Sequence, residues 1–118
     1  MTIHFEIPAN DLNRARSFYN KLFGWEIHEV PGRKDYLLIA SNGQERVSSS
    51  IIKRFNPRQT TIIYFDVPSV EKCSSRIQEL GGKIVVPKKP VPGIGYFAIC
   101  HDTENNSFGI WEEDSQAK

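Results

Sequence analysis

The stretch Ile3-His4-Phe5-Glu6-Ile7-Pro8 decides the fold, because it returns sixty residues further along the chain as Ile63-Tyr64-Phe65-Asp66-Val67-Pro68. Three of the six aligned pairs are identical, and two more are conservative. In both copies apolar residues alternate with polar or ionisable residues. This period-two pattern is typical of a strand with one buried face. The recurrence predicts that the chain contains two copies of one structural unit.

Other parts of the chain support this duplication. The same shift aligns Tyr36 with Tyr96 and Ile51 with Trp111. We therefore predict one domain over residues 1–118, which consists of a first unit at 2–54, a linker at 55–59, a second unit at 60–113 and a tail at 114–118.

Each unit has the pattern of a strand, a helix and three further strands. After the first strand, Asn10 or Asp11 can cap a helix, and Gly24 can supply its left-handed end. Ser69 is the corresponding cap in the second unit. The later segment VPKKPVPGIG, residues 86–95, is rich in Pro and Gly, which predicts an exposed loop.

Composition limits the classes of function. The 118 residues include 39% hydrophobic and 25% charged residues, which is typical of a globular domain. Fifteen Lys and Arg against 14 Asp and Glu give a net charge of +1, so nothing indicates binding to nucleic acid or to an anionic membrane. The sequence lacks a spanning segment and a signal segment, which predicts a cytoplasmic protein. Its two cysteines have no metal-binding spacing and are expected to be reduced thiols.

The alternation also predicts which side of each sheet is polar. A helix that follows a strand packs on the strand's apolar side, since the apolar stripe of the helix needs cover. The opposite side then carries His4 and Glu6 in the first unit, and Tyr64 and Asp66 in the second. If the two sheets met and curved, these residues would line a concave surface of the kind that binds small molecules.

The two βαβββ patterns, together with FYNKLFGWEI at 18–27 and DTENNSFGIWE at 102–112, resemble the vicinal oxygen chelate superfamily. This group includes glyoxalase I, extradiol dioxygenases, fosfomycin-resistance enzymes and bleomycin-binding proteins, and the chain is most similar to its small bacterial glyoxalase-like members. The resemblance covers nearly the whole chain. It implies an α+β fold in which two βαβββ units form a cupped eight-stranded mixed sheet, with the helices on the convex face. It also implies a divalent metal ion in the cup.

The family's metal-ligand positions fall on Thr2, Ser49, Ile62 and Gly109 when they are carried over to this sequence. Ile and Gly have no side-chain donor, so this set does not suit a divalent ion and we expect no metal cofactor. A different gap placement moves the first position to His4 and leaves the last two unchanged. A relocated site that uses His4 and Glu6 is the alternative, since imidazole and carboxylate are acceptable donors.

Two interpretations of His4 and Glu6 stay open. Both can belong to the polar face of a sheet without further function, or one of them can be a general base or an anchor for a ligand. Trp111 and Tyr64 are expected to line the cup, and Trp111 is the residue best suited to stack on a flat ligand. The alternative is that both rings fill a small cup in which nothing is bound. The predicted ligand-binding residues are His4, Glu6, Ser49, Tyr64, Tyr96 and Trp111.

Two classes of function follow from the resemblance. One is a binding protein that holds a small organic molecule in the cup without a metal. The alternative is an enzyme, with a glyoxalase I-like lyase as the first candidate, that acts on an α-oxo or vicinally oxygenated compound. Unpaired strands at the sheet edges favour self-association, and we predict a homodimer.

Overall fold

The computed structural model describes residues 3–40 and 49–118. The chain divides into two compact units, a first unit of residues 4–61 and a second unit of residues 62–118 together with Ile3. Both have the order strand, helix and three strands that the duplication predicted. Thr2, one of the predicted metal-ligand positions, lies outside the described residues.

The first unit is a four-stranded mixed sheet with one helix. Its strands have the order β2-β3-β4-β1, in which β1 and β4 are parallel and the other pairs are antiparallel. The elements are β1 (Ile3–Ala9), α1 (Leu12–Phe23), β2 (Glu26–Glu29), β3 (Tyr36–Ala40) and β4 (Ser50–Lys53).

The second unit repeats this topology. Its strands have the order β5-β8-β7-β6, in which β5 and β8 are parallel and the other pairs are antiparallel. The elements are β5 (Ile62–Asp66), α2 (Val70–Glu79), β6 (Lys83–Val91), β7 (Gly95–His101) and β8 (Ser107–Glu113).

The helix termini follow from local chemistry. The side chain of Asp11 accepts a hydrogen bond from the backbone N–H of Arg14 at 3.0 Å, and Ser69 accepts one from Lys72 at 3.1 Å. Each therefore satisfies a donor that the first turn of a helix leaves open. Gly24 ends α1 with a φ of 72°, the left-handed conformation that glycine adopts without strain. Asp11, and not the alternative Asn10, is therefore the N-cap of α1.

Each unit has its own core between the helix and one face of the sheet. In the first unit the core contains Ile27, Leu37 and Ile51, and the last is fully buried. In the second unit Ala98, Cys100 and Ile110 pack with Val70 of α2, all at 1% exposure or less. The predicted apolar side of each opening strand therefore faces the helix, as Phe5 does in the first unit and Phe65, 5.9 Å from the ring of Phe108, in the second.

The prediction of a loop at residues 86–95 is wrong for most of that segment. Residues up to Val91 belong to β6 and pair with β7, and the turn covers only the three residues before Gly95. Two register shifts interrupt the pairing, one on each side of Val86. The segment tolerates Pro87 and Pro90 because β6 pairs on one side only within its unit and its pairing is interrupted by bulges, the two settings in which strands accept proline.

The repeat is not sixty residues throughout. Glu6 lies opposite Ser50 on β4, whereas its counterpart Asp66 lies opposite Trp111 on β8. Ser50 is therefore equivalent to Trp111, a separation of 61 residues, and the alignment of Ile51 with Trp111 is wrong by one position. Because side chains alternate between faces, one position is enough to change which face a residue occupies.

The two helices of the described chain contain 12 and 10 residues, and neither is long and apolar enough to cross a membrane.

Candidate ligand-binding face of the second unit

The sheet of the second unit has one face turned away from α2, which we call the distal face. The strand register places side chains on it in rows, since residues directly opposite one another project to the same side. Its members are Ile62, Tyr64 and Asp66 of β5, Ser107, Gly109, Trp111 and Glu113 of β8, Gly95, Phe97, Ile99 and His101 of β7, and Lys83, Val86, Lys89 and Val91 of β6.

Tyr64 covers the centre of this face. It lies opposite Gly109, and a Cβ built on that glycine would clash with Cδ1 and Cε1 of the tyrosine ring. The ring therefore fills the volume of the missing side chain. Tyr64 is only 8% exposed, so it forms part of the floor of the face.

Trp111 covers a second glycine. A Cβ on Gly95 would lie 2.6 Å from Cζ2 and 2.9 Å from Cη2 of the indole, so the ring rests directly on the backbone of β7. Trp111 is half-buried, and its partner across the ladder is Phe97, which is also half-buried. Two neighbouring aromatic side chains that keep part of their surface exposed form a platform on which a flat molecule can stack.

Trp111 and Tyr64 lie on the face turned away from the helix, the side that the alternation predicted, and their part in ligand binding stays a prediction. Tyr96 does not join them. It lies opposite Glu112, packs on the core beneath α2, and receives Nζ of Lys88 at 4.3 Å over its ring. The placement of Tyr96 in the same site is wrong, because Gly95 and not Tyr96 is the structural counterpart of Tyr36.

His4 and Glu6 lie in the first unit, on alternate positions of β1 that face away from α1. The residue opposite Glu6 is Ser50, which is 3% exposed. Ser49 lies one position earlier, and its hydroxyl accepts a hydrogen bond from the backbone N–H of Phe5 at 3.3 Å. The sequence predicted Ser49 as a site residue and missed Ser50. The register of β4 places Ser50, and not Ser49, opposite Glu6.

The residues at the family's ligand positions do not fit a divalent metal ion. In the second unit these positions are Ile62 and Gly109, which bring no donor atom, and the Tyr64 ring occupies the space where a side chain on Gly109 would begin. The nearby carboxylate of Glu112 points to the other face, where it accepts a hydrogen bond from the N–H of Val70 at 2.9 Å. Among the described residues, no three His, Cys, Asp or Glu side chains are close enough to hold one ion.

The first unit also has a surface groove of about 420 Å³, which the sequence did not predict. It lies between α1 and β2, and most of the residues that line it are polar or charged, among them Arg16, Asn20 and His28. Within it the side-chain amide of Asn20 donates to the carbonyl of Trp25 at 3.0 Å. His28 lies 3.7 Å from Glu26 and is 59% exposed.

Comparison with known proteins places this geometry in a family. A sequence model of the Glyoxalase/Bleomycin resistance protein/Dioxygenase superfamily matches residues 2–110. A "Glyoxylase-like domain-containing protein" from Didymella fabae is 26% identical in an alignment of 113 residues, and the match covers 89% of this chain and 88% of that protein.

Solved structures show the same fold. A superfamily member from Vibrio splendidus 12B01 has a TM-score of 0.69 at 14% identity and covers 95% of this chain and 98% of its own. Methylmalonyl-CoA epimerase from Mycobacterium tuberculosis has a TM-score of 0.68 at 14% identity and covers 94% of this chain and 86% of its own. At such identities the likeness concerns the fold alone, and it confirms the predicted fold class.

Proposed function

The chain belongs to the Glyoxalase/Bleomycin resistance protein/Dioxygenase superfamily, and we propose that within it the protein binds a small, flat organic molecule on the distal face of the second unit, without a metal ion. The observation that carries the proposal is the pair of partly buried rings, Trp111 and Phe97, of which the first lies against the backbone at Gly95.

The rigidity of this platform supports binding. The indole of Trp111 rests on backbone and has Phe97 beside it, so few rotamers are lost when a ligand covers it. An interaction surface that is already ordered loses less entropy on binding than a mobile one. The buried ring of Tyr64 extends the apolar floor towards β5.

The chemistry of the donor set supports the absence of a metal. A glycine and an isoleucine stand at two of the family's ligand positions, and a divalent ion needs oxygen, nitrogen or thiolate donors instead. The alternative, an enzyme acting on an α-oxo or vicinally oxygenated compound, predicts near-stoichiometric Ni, Zn, Fe or Mn in the purified protein. Metal analysis by mass spectrometry separates the two, and stoichiometric metal would overturn the metal-free proposal.

Tryptophan fluorescence tests the binding function directly, because the chain has only two tryptophans. Trp25 belongs to the aromatic cluster of the first unit, with its ring centroid 5.2 Å from that of Tyr19. In a Trp25→Phe variant all tryptophan emission comes from Trp111. A library of flat aromatic fragments is expected to contain compounds that quench this emission saturably.

The matched control is Trp111→Phe, which keeps Trp25 as the reporter. The same compounds are expected to give only linear, collisional quenching in this variant. If no fragment quenches Trp111 saturably, or if the two variants respond alike, the proposed function is wrong.

We also propose that the protein forms a homodimer. Phe18, Leu22 and Phe23 of α1 are 57–59% exposed, which gives the chain an apolar surface that a second copy could cover. Light scattering coupled to size-exclusion chromatography is expected to give twice the mass of one chain. A monomer mass across the accessible concentrations would contradict the proposal.

A further inference from the structure

We propose that the ligand of the distal face is an organic anion, a flat ring that carries a carboxylate, and that Lys89 binds its charged end. The inference rests on the proposed function and adds the charge and the orientation of the ligand. The reasons are the position of Lys89 in the strand register, the distribution of charge across the face, and the local backbone of β6.

The register places a cation at one end of the aromatic platform. Lys89 lies opposite Phe97, Phe97 lies opposite Trp111, and these three residues therefore form one row across β6, β7 and β8. Adjacent strands are about 4.8 Å apart, so the row from Trp111 to Lys89 spans about 10 Å between backbones. A single aromatic ring with one substituent fits within that length.

The acidic and the basic residues of the face lie on opposite sides of the aromatic platform. Asp66 continues the row on β5 beyond Trp111, and Glu113 lies two residues further along β8 on the same face. The cations are on the other side, where Lys83 of β6 lies opposite His101 and Lys89 lies opposite Phe97. An anionic substituent is therefore repelled from the β5 and β8 side and attracted to β6.

Lys89, unlike its neighbour, is available to this face. The ammonium group of Lys88 lies over the ring of Tyr96, on the face that packs beneath α2. Lys89 follows it in the strand and projects to the opposite side, where it is exposed to solvent. The two lysines thus form a natural pair of test and control positions.

The sequence around Lys89 also restrains its backbone. The proline at position 90 disfavours the helical region for the preceding residue and holds Lys89 in the extended conformation. Pro87 fixes its own φ two positions earlier. The chain is thereby held in the geometry that directs Lys89 towards Phe97, and less conformational entropy is lost on binding.

A matched series of ligands tests the inference in the full-length protein. The compounds 4-nitrobenzoate, 4-nitrobenzamide and 4-nitrobenzylamine share one ring and differ in charge. Titration calorimetry is expected to show that the anion binds about two- to fivefold more tightly than the neutral amide, the range of an exposed ion pair. The cation is expected to bind most weakly, and added salt is expected to reduce the differences.

The variants assign the effect to one residue. Lys89→Gln is expected to abolish the preference for the anion while the amide binds as before, and Lys89→Arg is expected to keep it. Lys88→Gln removes the same charge from the other face and is expected to change nothing. Equal affinity of the wild type for the anion and the amide, or an equal effect of both glutamine substitutions, would overturn the inference and leave the binding function intact. Failure of all three compounds to bind would overturn the inference, and the fragment titration of Trp111 then decides the proposed function separately.

Discussion

The ring of Tyr64 lies against Gly109, its partner on the neighbouring parallel strand, and fills the space that a side chain at position 109 would need. This relationship links the fold to the chemistry of the site. The family resemblance places a carboxylate ligand at position 109. In this chain the residue there is a glycine, and the ring of Tyr64 occupies the space of the missing side chain. The distal face is therefore apolar where a metal site would be polar.

Gly109→Ala is expected to lower the free energy of unfolding by about 1–3 kcal/mol, because the added methyl group displaces the buried ring of Tyr64. Urea denaturation measures the change. In a Tyr64→Leu background the same substitution is expected to have a smaller effect, since the clash is with the aromatic ring. An equal loss in both backgrounds would contradict the contact.

Glu112→Ala is expected to destabilise the fold by about 1.5–3 kcal/mol, the range for a hydrogen bond to a charged group. Its carboxylate accepts the N–H of Val70, the fully buried first residue of α2, and an anion at a helix N-terminus is also favoured by the helix dipole. Glu113→Ala is the matched control, because that neighbour is exposed and projects to the other face. Thermal unfolding of the two variants measures the difference, and equal losses would count against the capping role.

The turn after β7 is expected to make the stability of the fold depend on pH in the acidic range, through Asp102. The backbone N–H of Asn106, and then its side-chain amide, donate to Asp102 and lower the pKa of that carboxyl from its ordinary value of 3.8. Because the pKa is lower in the folded chain, this stabilisation is complete above the unfolded value and is lost as the pH falls through the folded one. Asp102→Asn is expected to flatten the decline in melting temperature below about pH 4. An equally steep decline would exclude this contribution.

Cys100 is expected to be unreactive in the folded chain. Burial, and after it the neighbouring Cys73, raises the pKa of the Cys100 thiol from 9.0 to about 11. Folding therefore favours the neutral thiol. The contribution of this thiol to the free energy of unfolding is complete below pH 9 and declines as the pH rises towards the pKa of the folded chain.

A Cys73→Ser variant tests this directly, because it leaves Cys100 as the sole cysteine. Ellman's reagent at pH 8 is expected to react with it only after denaturant is added, since the thiolate is the nucleophile. Rapid reaction of the native variant would show that the thiol is accessible.

The sequence predicts the architecture well because the features that set it are local. The alternation around Phe5 and Phe65, the caps at Asp11 and Ser69, and the left-handed Gly24 each follow from a few neighbouring residues. The apolar side of each opening strand then has to face the helix.

The positions of individual site residues were harder to predict, because they depend on strand register. A difference of one residue in the repeat separates Ser50 from Ser49 and Gly95 from Tyr96, and each difference reverses the face. Loop lengths set this register, and no local pattern in the sequence records it. The role that we propose for Lys89 does not follow from the sequence either, because the prolines around it are typical of a loop, whereas in the structure β6 is an edge strand of its unit.

The most direct test of the proposed binding face is to locate a bound ligand by amide chemical-shift mapping with 4-nitrobenzoate. The largest shifts are expected on residues of β7 and β8 around Phe97 and Trp111, with a further shift at Lys89. Shifts confined to the polar groove between α1 and β2, at Asn20 and His28, would contradict the proposed binding face.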